Sequence, residues 1–158
     1  MKKLIILSIL FFCLFGFAQV ETFEADYIEA FKKDVQAESR KMVTENLTLT
    51  EGEGKIFWPI YNEYAAAYDK LIDERLKVIE EYMLNYYGMD NEVATDLINK
   101  TIGLKIRSVE LQKEYIDKML AVLPASIVGK FFQIDNRIAV LIDVVRMSTV
   151  PMVRKEEE

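Results

Sequence analysis

The strongest constraint on the fold is a set of long stretches in which apolar residues recur every three or four positions. This is the period of an α-helix that buries one face. Only six glycines and three prolines occur in 158 residues, and they divide the chain into four such segments. No stretch has the strict alternation of a β-strand. The sequence therefore predicts an all-α protein of four helices.

The second segment is the longest and carries the clearest start signal. Thr50 and Glu53 have the Thr-x-x-Glu spacing of a capping box, so the helix is predicted to begin at Glu51. It is predicted to end before Gly88, a residue suited to a C-terminal cap, after about 55 Å at 1.5 Å per residue. Its apolar and aromatic face carries Phe57, Ile60, Tyr64, Tyr68, Leu71, Ile79, Tyr82 and Tyr86.

The third segment should pair with the second. It begins after Asp90, a good N-cap, and runs towards Pro124, so only about three residues separate it from the second helix. Two long helices joined by so short a turn run antiparallel. We expect a long helical hairpin, flanked by an N-terminal helix over about 23–44 and a C-terminal helix.

The C-terminal helix is predicted to start at Pro124, because proline is tolerated in the first helical turn. Apolar residues lie on more of its circumference than one partner helix can cover, from Ile127 and Val128 through Phe131 and Phe132 onwards. It is either the central helix of the fold or part of a subunit interface.

The first eighteen residues read as a secretory signal peptide. Two lysines precede an apolar run from Leu4 to Phe17, and small residues follow at a plausible cleavage position near Ala18. The predicted organisation is a signal peptide over 1–18, one helical domain over 19–147, and a charged tail over 148–158 that we expect to be disordered. The expected location is periplasmic or secreted, without a stable membrane anchor.

Composition excludes most common site chemistries from the mature chain. Cleavage would remove Cys13, the only cysteine, and the sequence has no histidine. Thiolate nucleophiles, Ser-His pairs, disulfides and histidine-based metal sites are thereby excluded. Cleavage also leaves 18 basic and 26 acidic residues, a net charge of −8, which disfavours nucleic acid as a partner. We predict no catalytic residue, no cofactor and no metal site; an enzyme with a carboxylate site is an unfavoured alternative.

The sequence also contains a weak internal repeat. A shift of 74 residues aligns LTEGEGKIFWPIYNEY with LPASIVGKFFQIDNRI and matches Leu49 with Leu123 and Phe57 with Phe131. Both copies open a helix just after a leucine. The repeat predicts two equivalent helix entrances, each with an aromatic pair: Phe57 and Trp58 in one, Phe131 and Phe132 in the other.

These two stretches resemble the Spy/CpxP superfamily of periplasmic helical proteins, which is characterised by LTxxQ motifs. LTEGE fits the motif with glutamate for glutamine, and the FWPIY element is similar to an FWPxY-containing branch without an established activity. The residues that carry the resemblance or its structural motif are Leu49, Thr50, Glu53, Phe57, Trp58, Pro59, Tyr61, Leu123, Pro124, Phe131, Phe132 and Asn136.

The resemblance implies a cradle-shaped homodimer built on a helical hairpin. It implies either an ATP-independent chaperone of unfolded or envelope proteins, or a dedicated partner that restrains a membrane-bound stress sensor. The tyrosines of the second helix, Tyr61, Tyr64, Tyr68, Tyr82 and Tyr86, are a candidate face for such a client or partner, since tyrosine offers apolar area and a wet hydroxyl. The same residues suit the edge of a core, and both interpretations are open.

Pro59 lies inside the second helix, about nine positions after its start. A proline there removes the hydrogen bond to the carbonyl of Lys55 and bends the helix. We expect the bend to turn Phe57 and Trp58 against the opening of the fourth helix, towards Phe131 and Phe132.

Overall fold

The structure is a computed structural model that describes residues 33–152, without the side chains of 145, 146, 148 and 149. It divides into two units, Met1–Lys41 and Met42–Glu158. In the first unit, residues 33–41 are helical. The predicted signal peptide, the start of the first predicted helix and residues 153–158 of the predicted tail lie outside the described residues.

Four helices account for nearly all of the described residues, which confirms the all-α class. They are α1 over 33–46, α2 over Glu51–Leu84, α3 over Asn91–Leu120 and α4 over Ala125–Thr149. Among residues 33–152 no strand occurs. Helix α2 continues without a break through Pro59, whose side chain is exposed. The bend at Pro59 stays a prediction.

The predicted helix starts rest on local hydrogen bonds. At α2, the Glu53 carboxylate accepts from the Thr50 backbone N–H at 2.8 Å, and the Thr50 hydroxyl accepts from the Glu53 backbone N–H at 3.3 Å. Both halves of the predicted capping box are therefore present. At α3, the Asp90 carboxylate accepts from two backbone N–H groups at 2.9 Å each. Pro124 precedes α4, and its carbonyl accepts the first backbone bonds of that helix.

The predicted end of α2 is wrong by about one turn. The helix ends at Leu84, and its C-cap is Asn85 instead of Gly88. The Asn85 side-chain amide donates to the Glu81 carbonyl at 2.8 Å and so satisfies one of the last carbonyls of the helix. No described residue has a positive φ, so this terminus does not use the left-handed conformation for which glycine is needed.

Helices α2 and α3 form the predicted antiparallel hairpin. Tyr64 packs against Tyr115 with ring centroids 5.5 Å apart, and Glu81 pairs with Lys100 at 2.7 Å. The residue number on α3 falls as the residue number on α2 rises, so the two helices run antiparallel. Between these two contacts, Arg107 donates two hydrogen bonds to the carboxylate of Glu74.

Helix α4 runs in the same direction as α2. The hydroxyl of Tyr64 donates to Asp135 at 2.8 Å, and that of Tyr82 donates to the carbonyl of Pro151 at 2.8 Å. The separation along the sequence is 71 residues in the first pair and 69 in the second. The starts of α2 and α4 consequently lie at one end of the molecule, together with the end of α3.

The main core lies at this shared end. It consists of Val43, Leu47, Phe57, Tyr61, Tyr64, Tyr115, Met119, Leu123, Val128, Phe131 and Ile134. Three further leucines, Leu71, Leu97 and Leu104, are buried farther along the hairpin and stand apart from this cluster. Helix α4 is therefore not surrounded: it contributes Val128, Phe131 and Ile134 to the core and exposes apolar residues on its other side.

Candidate functional site

The aromatic residues of the two helix entrances meet in the core. Phe57 and Phe131 pack edge to face with centroids 5.4 Å apart, and both are almost completely buried. Tyr61 and Tyr64 each contact Phe131 edge to face, with centroids 6.0 Å apart. Edge-to-face pairs add about 0.5–1.5 kcal/mol beyond area burial. The predicted contact between the first aromatic residues of the two repeats is confirmed.

The second aromatic residues of the repeats are not equivalent. Trp58 is partly buried, packs against the core and lies edge to face with Phe57 at 5.2 Å. Phe132 is 42% exposed. Successive residues of a helix point about 100° apart. Once Phe131 occupies the core, Phe132 therefore faces away from it; of the two aromatic residues expected opposite Phe57 and Trp58, only Phe131 belongs to the core.

The other residues of the motif have structural positions at the same end. Leu123 is buried, and Leu49 is partly buried against the core. Thr50 and Glu53 cap α2, and hydrogen bonding from Thr50 lowers the pKa of the Glu53 carboxyl. Pro59, Pro124 and Asn136 are exposed.

The five tyrosines proposed as a binding face do not form a continuous surface. Tyr61 and Tyr64 belong to the core, and Tyr68 is half-buried and packs against it. Tyr82 and Tyr86 lie near the far end of α2, with rings 5.9 Å apart. The first three tyrosines thus have the core position that the sequence left open, and the last two lie at the tip of the hairpin.

A polar network connects the three long helices, and it was not predicted from the sequence. Oδ2 of Asp135 on α4 accepts hydrogen bonds from the Tyr64 hydroxyl of α2 at 2.8 Å and from the Gln112 amide of α3 at 2.6 Å. The Gln112 amide also lies 3.3 Å from Oδ1 of Asn136. A signal was present in the sequence, because Asp135 is four residues after Phe131 and so interrupts the apolar face of α4.

Burial controls the electrostatics of this network. It raises the pKa of the Asp135 carboxyl, although the hydrogen bonds from Gln112 and Tyr64 act in the opposite direction. Burial also raises the pKa of the Tyr64 hydroxyl, and the neighbouring Asp135 carboxylate adds to the effect. Burial thus makes the charged form of each group less favourable, and the hydrogen bonds of the network hold α4 against α2 and α3.

A second polar cluster lies about three turns farther along α2. The Arg75 guanidinium is 3.4 Å from the Ser108 hydroxyl and 3.9 Å from the Asp143 carboxylate. Beside it is a cleft of about 50 Å³ lined by Arg75, Val78, Ile79, Thr101, Leu104, Lys105 and Asp143. This volume suits water and is far below the roughly 300–1,000 Å³ of small-molecule pockets.

Within residues 33–152, no group of three or more acidic side chains, histidines or cysteines is placed to hold a metal ion. Over the same range, no helix combines the length and the apolar character needed to cross a membrane.

The surface is unusually apolar on the outer sides of α3 and α4 and at the hairpin tip. On α4, the exposed set is Phe132, Val140, Leu141, Val144 and Met147, which we call the α4 outer face. At the tip, Leu84 is 80% exposed and Tyr87 is 82% exposed, and Met83 lies beside them. Exposed apolar residues grouped in this way are typical of sites that contact other proteins.

Comparison with models of protein families, with curated proteins and with solved structures gives no match. The fold and its surfaces define the class, an all-α protein built on a helical hairpin with outward-facing apolar residues.

Proposed function

We propose that this chain is a non-enzymatic, chaperone-like binding protein of the periplasm that holds unfolded or envelope proteins without ATP. The observation that carries the proposal is the α4 outer face. Its residues Val140, Val144 and Met147 recur at four- and three-residue spacing on the side of the helix away from Phe131 and Ile134. An exposed aliphatic row without a polar pocket favours binding to apolar segments of many sequences.

The net negative charge of the chain also supports a role in preventing aggregation of bound proteins. A net negative charge keeps bound complexes soluble through mutual repulsion. The exposed methionines Met147 and Met152 add flexible apolar surface that adapts to different partners.

Suppression of aggregation tests the proposal. The protein should lower light scattering by a heat-denatured reporter enzyme, without ATP, in proportion to its concentration. A Val140→Asp/Val144→Asp variant should lose most of this activity, because two charges then interrupt the apolar row. The matched control is Asn91→Asp/Ser126→Asp, which adds the same charge at exposed positions outside the row. No suppression by the unaltered protein at several-fold molar excess would refute the proposal.

A second candidate is a dedicated partner of one membrane-bound sensor, and the hairpin tip favours it. The rings of Tyr82, Tyr86 and Tyr87 pack edge to face there, with successive centroids 5.9 and 5.1 Å apart, close in sequence to the exposed Leu84. A compact aromatic cluster at the tip of a helical hairpin suits a single defined contact. In a pull-down from envelope extract, this role predicts one stoichiometric partner that Leu84→Ser/Tyr87→Ser removes; a broad set of captured proteins would contradict it.

A further inference from the structure

The helical hairpin is packed along a seam with heptad spacing, which the proposed function does not use. Alternating steps of four and three residues connect, on α2, Phe57, Tyr61, Tyr64, Tyr68, Leu71, Arg75 and Val78. The same steps connect, on α3, Leu97, Thr101, Leu104, Ser108, Leu111 and Tyr115. Every one of these residues is buried or half-buried. We call these two rows the hairpin seam; positions of this kind are normally apolar.

The seam is polar at one level of the hairpin. Arg75 of α2 lies 3.4 Å from the hydroxyl of Ser108 on α3, and Thr101 lies two α3 turns away on the same side. The cleft of about 50 Å³ described above lies here, with Val78 and Leu104 in its lining, and we call it the hairpin cleft. Side chains of leucine size at positions 101 and 108 would fill such a space in a packed seam. The cleft therefore follows from the small hydroxyl residues at these two positions.

Arg75 has hydrogen-bonding capacity to spare in the cleft. Its side chain is 21% exposed, and its distance of 3.9 Å from the Asp143 carboxylate is beyond hydrogen-bond length. Tyr68 is a further neighbour: burial raises the pKa of its hydroxyl, and the charge of Arg75 acts in the opposite direction. A guanidinium has five N–H donors, more than two neighbouring hydroxyls can use, and its planar fork fits a carboxylate through two parallel hydrogen bonds.

Two further groups that line the cleft are unpaired within the described part of the chain. Lys105 forms no ion pair over residues 33–152, whereas Lys113, about two turns farther along α3, pairs with Asp117. The hydroxyl of Thr101 makes no hydrogen bond over the same range, although the residue is half-buried. The cleft thus offers an ammonium group and a hydroxyl in addition to the guanidinium, and all three can donate hydrogen bonds.

Charge and size define what the cleft can hold. Arg75 and Lys105 carry two positive charges against the one negative charge of Asp143, in a chain whose formal net charge is −6. One monovalent anion neutralises this excess, whereas a divalent anion reverses it. A water molecule needs about 10–15 Å³ of such volume, so the cleft has room for about four atoms of ligand. Val78 and Leu104 make part of the lining apolar, which suits the carbon atoms next to an anionic group.

We infer that the hairpin cleft binds a carboxylate group carried on a short apolar chain. The carboxylate oxygens accept hydrogen bonds from Arg75, Lys105 and Thr101, and the adjoining carbon atoms contact the apolar lining. Two sources share this chemistry: a free short-chain carboxylic acid, and the C-terminus of a polypeptide that ends in an apolar residue. No residue of the α4 outer face lines the cleft, so the site is separate from the surface on which the proposed function rests.

An NMR titration with defined probes tests the ligand class and separates the two sources. Butyrate represents the free acid and N-acetyl-alanyl-valine the polypeptide end, with butyramide and the C-terminal amide of the peptide as neutral controls. At least one acid should shift the backbone amide signals of Leu104 and Lys105 and saturate below about 10 mM. Its amide should bind at least about tenfold more weakly, because it cannot accept the charge-assisted hydrogen bonds.

Each outcome of the titration has a defined meaning. Saturation by both acids supports the shared chemistry, by butyrate alone identifies a free acid, and by the peptide alone identifies a chain end. Equal binding of an acid and its amide, or no saturation by either acid, would overturn the inference.

Charge variants test which groups hold the carboxylate. Arg75→Met keeps an unbranched side chain in the seam, and Lys105→Gln changes an exposed position, so circular dichroism should remain helical. Each should weaken binding of the acid at least about tenfold. The matched control is Lys113→Gln, which removes the same charge from an exposed position of α3 outside the cleft and should change the affinity less than about twofold.

A substitution of opposite sign completes the test. Asp143→Asn removes the negative charge beside Arg75 and should tighten binding of the acid at least about threefold. Weaker binding by Asp143→Asn, or equal effects of Lys105→Gln and Lys113→Gln, would contradict the site. If Arg75→Met disturbs the helices, the comparison of the two lysine variants decides the question. None of these measurements involves aggregation, so this inference and the proposed function can fail separately.

Discussion

Removal of one hydroxyl group, by Tyr64→Phe, should measure how strongly the polar network fixes α4. The ring of Tyr64 packs against Tyr115 and Phe131, at centroid distances of 5.5 and 6.0 Å, and phenylalanine keeps both contacts. The substitution therefore leaves no cavity. What is lost is the 2.8 Å hydrogen bond to Asp135, which leaves Gln112 as the remaining donor to that carboxylate oxygen.

The size of the effect follows from the charge of the acceptor. A hydrogen bond to a charged group contributes about 1.5–3 kcal/mol, and one between neutral groups contributes about 0.5–1.5 kcal/mol. Tyr64→Phe should lower the free energy of unfolding by about 1.5–3 kcal/mol at a pH at which Asp135 is ionised. In an Asp135→Asn background, the same substitution should cost only about 0.5–1.5 kcal/mol. The difference, about 1 kcal/mol, is the coupling between the two side chains.

Urea unfolding followed by circular dichroism is the appropriate assay, with all four members of the double-mutant cycle at one pH. The matched control is Tyr82→Phe, because its hydroxyl also makes one hydrogen bond, to the uncharged carbonyl of Pro151 just after α4, at an exposed position. That control should change the free energy of unfolding by less than about 0.5 kcal/mol. The reasoning would be refuted if Tyr64→Phe resembled Tyr82→Phe, or if the effects of Tyr64→Phe and Asp135→Asn were additive.

Three further substitutions test separate parts of the structure by the same unfolding measurement. The pKa of Asp135 is raised in the folded state, so its ionisation lowers the free energy of unfolding as the pH rises from the ordinary aspartate pKa through the raised value. Asp135→Asn should therefore remove this pH dependence, and the variant should be at least as stable as the unaltered protein at neutral pH. An unchanged slope of the free energy of unfolding against pH would contradict this sign. Phe131→Ala should cost about 3–5 kcal/mol and its neighbour Phe132→Ala less than about 1 kcal/mol, whereas equal costs would mean that the two side chains are not divided between core and surface. Pro59→Ala restores a backbone N–H that can donate to the Lys55 carbonyl, at an exposed position of α2. It should stabilise the protein by up to about 3 kcal/mol and straighten α2. A loss of stability would show that the surrounding packing requires the proline.

Local signals in the sequence were sufficient to predict where the helices start. Thr50 with Glu53, and Asp90, act on backbone groups within three residues, so their effect does not depend on the rest of the fold. The hairpin could be predicted for a related reason, because a short connection leaves two long helices only one way to pack. The end of α2 was less predictable, since Asn85 and Gly88 are both residues that commonly follow a helix.

The orientation of α4 could not be read from periodicity. Apolar residues surround most of this helix, and the pattern alone therefore does not choose between Phe131 and Phe132 for the inner side. The choice is made by a tertiary contact, the packing of Phe131 against Phe57. For the same reason the sequence pattern does not identify Asp135 as a structural residue, because its hydrogen bonds are made with Tyr64 and Gln112, which are distant in the sequence.

The candidate face of tyrosines shows a second limit of sequence reasoning. Tyrosine is compatible with both a core margin and an exposed contact, and the five residues lie along one side of a single helix. The structure separates them by position along that helix, because only its first half has α4 aromatic residues beside it. Membership of the core is thus decided by which α4 residues lie beside each tyrosine, and side-chain type alone does not encode these neighbours.

The concentration of the core at one end makes the molecule mechanically uneven. Eleven buried side chains hold the starts of α2 and α4 to the end of α3, whereas Leu84 and Tyr87 at the opposite end are largely in water. Opening of the tip breaks few apolar contacts, so its amide hydrogens should exchange through small local fluctuations, while those around Phe57 exchange only when the whole unit unfolds. The hairpin is therefore anchored where α2 begins and α3 ends, while the short turn that joins the two helices at the tip can unfold locally and leave the core intact.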